Sequence, residues 1–289
     1  MRAGFIGAGK VGFTLGKYLA MHGIEVSGYY SRTPASAREA AEFTQSRYYT
    51  SIEEITKDSD TLFLTVPDGI IGEIWDDMRN LPIREKNICH CSGSIPSTVF
   101  FDAENRGAYR YSVHPLYAIS SKYTSYRDLG KACFTIEGSN AHLTELKDLF
   151  AAMGNTVVSI TPESKALYHA AAVMVSNQIV ALADMGTALL TRCGFSEAAA
   201  AQALSPLLLG NAQAVAEKGA VDALTGPIER GDVETVSKHL QEMRKFAAES
   251  KVGQDILTTY TALSRQLIRI AGQKHPDKLY EPLEKELEK

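Results

Sequence analysis

A glycine turn seated between a short apolar run and an amphipathic segment is the feature that most restricts the fold of this 289-residue chain. Ala3-Gly-Phe-Ile6 reads as a buried strand and Gly7-Ala8-Gly9-Lys10-Val11-Gly12 as a tight turn. Phe13 to Met21 then places Phe13, Leu15, Leu19 and Ala20 at helical spacing. A second strand, Ile24 to Tyr30, follows about twelve residues after Gly12. A glycine triplet alone is weak evidence, but between a strand and a helix each glycine has a purpose. Gly7 permits the turn, Gly9 removes a side chain where a pyrophosphate would approach, and Gly12 lets helix and strand pack closely. Ala8, Lys10 and Val11 complete a loop whose free amides and helix dipole favour an anion. The plainer alternative is a structural glycine turn that holds no nucleotide.

Downstream, the same alternation continues. Helical stretches are expected from Pro34 to Phe43, after Ser51, from Ile70 to Met78 and from Ala141 to Met153. Between them lie strands at Thr61 to Val66, Asn87 to Cys91, Tyr111 to His114, Ala132 to Glu137 and Thr156 to Ile160. That order predicts a doubly wound, mostly parallel α/β sheet over residues 1–160. Beyond Thr161-Pro162 no strand signal remains. Helices are expected at Glu163–Arg192, Glu197–Leu209, Asn211–Lys218, Asp232–Ala248 and Lys251–Ala271, with a frayed, solvated tail from Pro276. Residues 161–289 therefore read as an all-helical domain. Composition agrees, since 19 of the 24 aromatic residues precede residue 159, where a sheet would need them.

The end of the second strand distinguishes between nucleotides. A chain that binds NAD generally carries Asp or Glu there for the ribose hydroxyls. Here the strand ends in Ser31-Arg32-Thr33, with no carboxylate from Val26 to Arg38. Two hydroxyls and a guanidinium fork suit a 2′-phosphate, so the expected cofactor is NADP. Val66 and Pro67 end the third long strand, where they shape the wall beside the cofactor.

A net charge of −4 with no basic cluster argues against nucleic acid or an anionic membrane as the main partner. The most apolar segment, Ala170 to Leu182, is interrupted by Ser176, Asn177 and Gln178, and no membrane span is expected. The strand begins too close to Met1 to leave room for a signal peptide. Cys89, Cys91, Cys133 and Cys193 lack metal-ligand spacing and read as free thiols of a cytoplasmic protein.

Three polar clusters could carry chemistry. Cys91-Ser92-Gly93-Ser94 falls at the carboxyl end of a strand, where ligands bind in open α/β sheets, and Ser92 could meet cofactor or substrate. His114, stiffened by Pro115, could donate to a carbonyl or orient a carboxylate. On the first helix of the second domain, Lys165, His169 and Ser176 share one stripe among small and apolar residues. A polar stripe there must face a partner, a ligand or water. Lys165 or His169 could then protonate the atom that gains charge as hydride arrives. The plainer reading makes the three clusters structural hydrogen-bonding groups.

Taken together, Gly7-x-Gly-x-x-Gly12, Ser31-Arg-Thr33, Val66-Pro-Asp68, Cys91-Ser-Gly-Ser94, His114-Pro-Leu116 and Tyr168-His-Ala-Ala-Ala…Ser176-Asn177 resemble a Rossmann-like NADP-binding oxidoreductase family. Its C-terminal helical domain has no known function. The family is similar to 6-phosphogluconate dehydrogenase-like proteins, ketopantoate reductase, pyrroline-5-carboxylate reductase, prephenate dehydrogenase and deazaflavin-dependent NADP oxidoreductase. The resemblance implies NADP(H) binding, an active site between domains and a helical domain that helps dimerise. Hydroxyacid-type relatives place asparagine four positions after a helix lysine, whereas His169 follows Lys165 here.

Two functions are thus expected. One is an NADP(H)-dependent oxidoreductase acting on a small carbonyl, imine or hydroxyacid in an interdomain cleft, with His169, Lys165, His114 and Ser92 in the chemistry. The other is an NADP-binding sensor without turnover. Alanine-rich helices, at Ala170–172 and Ala198–201, favour a homodimer through the helical domain.

Overall fold

Eight strands form one sheet in the order β3-β2-β1-β4-β5-β6-β7-β8 in the computed structural model, which describes residues 1–289. In chain order, β1 (Arg2–Ile6), α1 (Lys10–Met21), β2 (Glu25–Tyr30), α2 (Pro34–Thr44) and β3 (Arg47–Tyr48) make the first half of the sheet. Then follow α3 (Ile52–Asp58), β4 (Thr61–Leu64), α4 (Asp68–Met78), β5 (Asn87–His90) and β6 (Tyr109–Leu116). Next come β7 (Cys133–Gly138), α5 (Leu143–Ala152), β8 (Thr156–Ser159) and α6 (Lys165–Val175). All neighbouring pairs are parallel except β6 and β7. The two-residue edge strand β3 was too short to show a pattern in the sequence.

Buried side chains cover both faces, as a parallel sheet requires. One face gathers Phe5, Phe13, Leu15, Tyr29, Phe63, Phe134 and Phe150; the other gathers Ile6, Leu62, Leu64, Trp75, Ile88 and Phe100. Ser51 caps α3 as expected, its hydroxyl accepting from the Glu54 amide at 3.2 Å. The chain leaves β1 for β2 on one side and enters β4 on the other, so the carboxyl ends of β1 and β4 mark the switch point of the topology.

Two compact units result, Met1–Ser176 and Asn177–Lys289. Helix α6, which the sequence pattern joins to the helical part, lies in the first unit, where Lys165 is fastened to β6 and to the loop that leaves β5. The expected single helix from Glu163 to Arg192 is a 3₁₀ turn (Pro162–Ser164), then α6, then α7 (Asn177–Arg192), separated at Ser176 with φ −115° and ψ −74°. By length and composition, Pro162–Arg192 does reach the range of a membrane span, with a mean hydropathy of 1.4 over 18 residues. Averaging over Ser176 and its neighbours outweighs the interruption on which the contrary expectation rested.

The second unit continues with α8 (Glu197–Ala223), α9 (Pro227–Arg230), α10 (Val233–Glu249), α11 (Lys251–Lys274) and α12 (Glu281–Glu288). Helix α8 runs through Gly210, where two helices were expected, because one glycine costs a helix only about 1 kcal/mol. Its actual kink is at Gly219, with φ 80°. The tail is not frayed: Leu283 and Leu287 of α12 join Val236, Leu240, Ile268 and Ala271 in the core of this unit. By contrast, α7 buries no side chain and α8 buries only Ala200.

Candidate active site

The glycine turn, the end of β2 and the end of β4 close around a cavity of about 240 Å³. Gly7, Ala8 and Gly9 form its floor, Ser31, Arg32 and Thr33 its lip, and Val66 and Pro67 its far wall. No carboxylate lines it, and Arg32 is exposed at the lip. Of the other turn residues, Lys10, Val11 and Gly12 are the first turn of α1, which has no side-chain cap on its amides.

The three glycines have different causes. At Gly7, φ is +108° and a Cβ would lie 2.6 Å from the Thr65 carbonyl oxygen. At Gly12 a Cβ would lie 2.4 Å from Thr65 Oγ1 and 2.6 Å from the Gly7 carbonyl oxygen. Both positions are imposed by the protein's own packing. Gly9 is not: its backbone is extended (φ −81°, ψ −173°), and the nearest atom to a Cβ there is 4.0 Å away. The bare backbone at Gly9 serves open space, which is what a close-approaching phosphate needs.

Next to this cavity, the loop that leaves β5 is held from three sides. Asp68, the residue after Pro67, accepts from Ser92 Oγ at 2.9 Å and from Ser94 Oγ at 2.8 Å. Glu137 of β7, buried to 2% exposure, accepts from the Ser97 amide and hydroxyl, each at 2.7 Å. Lys165, buried to 1% exposure, donates to the Ser92 carbonyl at 2.8 Å and to Ser112 Oγ at 2.7 Å. Ser92 Oγ also accepts from the Ser94 and Ile95 amides at 3.2 and 3.0 Å. The single proton of Ser92 is therefore directed at Asp68, and its hydroxyl organises the loop rather than facing the nucleotide cavity.

Two imidazoles stand over Gly93 at the centre of that loop. A Cβ on Gly93 would lie 2.7 Å from His169 Nδ1 and 2.9 Å from His114 Nε2. His169 Nδ1 is buried and has no hydrogen-bond partner. An unpaired buried nitrogen costs free energy unless something else meets it. On its other side, His114 Nδ1 lies 2.6 Å from Tyr168 Oη. The Tyr168 ring, in turn, sits 5.7 Å below the Lys165 ammonium.

Electrostatics follow from burial. Desolvation lowers Lys165 from 10.5 to about 8, opposed by the negative charge of Glu137 and Asp68. Burial also lowers His114 to about 4, helped by Lys165 and His169. His90, fully buried beneath the loop, is lowered to about 3 by burial and by Lys165. Its Nδ1 accepts the Ser92 amide at 3.2 Å. His114 and His90 are thus neutral rings at pH 7.

The tertiary structure brings Ser92, His114, Lys165 and His169 together, all in the first unit. Ser176 shares the stripe of Lys165 and His169 but ends α6, where its hydroxyl donates to the Ala172 carbonyl at 2.7 Å. Asp68, His90, Ser112, Glu137 and Tyr168 were not singled out as site residues. Asp68 and Tyr168 belong to the motifs Val66-Pro-Asp68 and Tyr168-His-Ala-Ala-Ala without a role assigned to them; His90, Ser112 and Glu137 lie inside strands, where polar identity signals nothing by spacing.

A Rossmann-like domain matches residues 1–115, and a domain of unknown function (DUF2520) matches residues 132–267. No curated protein matches significantly. Among solved structures, protein TM1727 from Thermotoga maritima has 24% identity and a TM-score of 0.74, over 94% of this chain and 99% of that one. A reductive aminase from Aspergillus terreus, in complex with NADPH and ethyl-5-oxohexanoate, has 16% identity and a TM-score of 0.65 over 93% of both chains. An imine reductase from Pseudomonas sp. has 16% identity and a TM-score of 0.63, over 94% of this chain and 97% of that one. These likenesses establish a shared fold.

Proposed function

This chain joins a Rossmann-like domain to the DUF2520 domain, and from that premise we propose that it is an NADP(H)-dependent oxidoreductase acting on a small carbonyl, imine or hydroxyacid. The observation that carries the reading is one of continuity. Pro67 walls the nucleotide cavity, and its neighbour Asp68 holds the Ser92–Ser94 loop beneath the two imidazoles. A cofactor cavity and an acid–base cluster thus share one carboxyl edge of the sheet.

Gly7, Ala8 and Gly9 would hold the pyrophosphate with the first amides of α1, at Lys10, Val11 and Gly12. Ser31, Arg32 and Thr33 would take the 2′-phosphate, with Val66 and Pro67 along the ribose. The cofactor supplies a hydride at such a site. The protein's task is the proton. His169, whose buried Nδ1 has no partner within the chain, is the group we assign to exchange it with the substrate's oxygen or nitrogen. Ser92 and Lys165 position the loop, since the Ser92 proton is directed at Asp68 and two of the three Lys165 protons go to the Ser92 carbonyl and the Ser112 hydroxyl. The fold neighbour that carries NADPH and a keto ester supports this choice of chemistry.

We further infer a cytoplasmic homodimer. Its support is the apolar surface that α7 and α8 leave uncovered: Val180, Leu207 and Leu209 are each more than 60% exposed. A monomer by light scattering at micromolar concentration would refute it.

The function is tested by thermal unfolding with NADPH and NADH, followed by NADPH oxidation across a panel of carbonyl and imine compounds. A larger shift with NADPH and turnover of at least one compound are expected. A shift without turnover over a broad panel would instead favour a nucleotide-binding sensor.

A further inference from the structure

Tyr168 of α6 and His114 of β6 meet across 54 residues of sequence, Oη to Nδ1 at 2.6 Å, with their rings edge to face at 86°. One of the two must be the donor. His114 is neutral, so one ring nitrogen carries a proton and the other a lone pair. Phenol, with an ordinary pKa near 10, is a stronger acid than the N–H of neutral imidazole, and an imidazole nitrogen is a far stronger base than a phenol oxygen. The pair is therefore O–H···N, which leaves the His114 proton on Nε2. That nitrogen is the one that lies over Gly93, 2.9 Å from where a Cβ would stand.

We propose that Tyr168 is a positioning residue that donates to His114 Nδ1, fixes this ring as the Nε2–H tautomer, and so offers a neutral donor to a substrate oxygen beside the Gly93 loop. The oxygen belongs to a carbonyl or a carboxylate, groups that accept from a neutral N–H without needing its proton. Only glycine fits beneath the two rings, since any Cβ there would touch both imidazoles, so the substrate oxygen must reach Nε2 from beside the loop. The two rings then divide the work. His114, with its proton locked in place and too weak a base to be charged at pH 7, holds the substrate; His169, unpartnered, exchanges the proton. The identity of the ligand rests on the oxidoreductase reading, whereas the tautomer does not.

Nitrogen-15 correlation spectra of the full-length, ligand-free protein test the pairing, with His114 assigned by the signal lost in His114→Gln. The expected wild-type spectrum has a protonated Nε2 and a bare Nδ1 for His114. In Tyr168→Phe the same ring should show a mixture of tautomers, while the NADPH-induced thermal shift is unchanged. On a substrate from the carbonyl panel, Tyr168→Phe should raise KM about tenfold and leave kcat within a few-fold. A wild-type ring protonated at Nδ1, or an unaltered tautomer in Tyr168→Phe, overturns the proposal. Should Tyr168→Phe not fold, the wild-type spectrum decides alone. If NADPH gives no shift in the wild type, the function is misread and the tautomer result still stands.

Discussion

The Lys165 ammonium donates to the backbone carbonyl of Ser92 at 2.8 Å, from a helix 73 residues further along the chain. With its second bond to Ser112 Oγ, it ties α6 to β6 and to the loop that leaves β5. A lysine so placed is a strut. It sets the height of the Ser92–Gly93 loop under the imidazoles of α6 and β6.

Removing the strut should cost stability before it alters chemistry. Lys165→Ala leaves the Ser92 carbonyl and the Ser112 hydroxyl without their donor and opens a void where the stem packed. A loss of about 3 kcal/mol is expected in urea unfolding. NADPH should still shift the melting temperature of the folded variant, because no Lys165 atom lines the nucleotide cavity.

The same residue gives stability a pH dependence of definite sign. In the folded chain Lys165 titrates near pH 8, against 10.5 unperturbed. Between those values the folded amine has lost its proton while the unfolded chain retains it, so stability rises with pH over that window. Below pH 8 the contribution is constant. Comparing wild type with Lys165→Met between pH 8 and 10 isolates it, with a slope of at most about 1.4 kcal/mol per pH unit in the wild type only.

Substitutions at Gly12 and Gly9 should separate fold from ligand. Gly12→Ala forces a clash with Thr65 Oγ1 and should destabilise by about 1–3 kcal/mol. Gly9→Val places its Cβ 4.0 Å from the nearest atom outside its chain neighbours, the Thr65 carbonyl oxygen, and should unfold like the wild type. NADPH should nevertheless fail to protect Gly9→Val. Full protection would mean that no phosphate rests on Gly9.

Arg32 decides between the two nucleotides. Arg32→Ala should weaken NADPH by roughly ten- to a hundredfold, the range of a lost hydrogen bond to a charged group, and leave NADH within a few-fold. Titration calorimetry reads both. An equal loss for the two cofactors would remove the 2′-phosphate from Arg32.

Gly93→Ala places a methyl 2.7 Å from His169 Nδ1 and 2.9 Å from His114 Nε2. The rings must part, so NADPH oxidation should fall at least tenfold with cofactor protection intact. Unchanged turnover would move the substrate away from this loop.

The strands and the nucleotide turn were legible because their signals are local. Ala3 to Met21 shows an apolar run, a glycine turn and a helical period in immediate succession. Pro34 and Ser51 likewise announce the helices they begin. The helical part was less legible: Gly210 looked like a break and is not, while Ser176 was a break that looked continuous. Tertiary packing overrides single-residue propensities of this size.

Sequence alone determined the alternation of strands and helices, the nucleotide turn, the cationic residue at Arg32 and the polar stripe on α6. It did not determine what those stripe residues do. Lys165 and His169 sit one helical turn apart and look equivalent by spacing, yet one ends on a backbone carbonyl and the other faces Gly93 without a partner. Nor does any period in the chain bring Asp68 to Ser92, or Tyr168 to His114. Those pairs exist because separate strands end at one edge and α6 folds back over them. Hydrogen bonds between distant segments depend on where backbones come to rest, which only the packed structure decides.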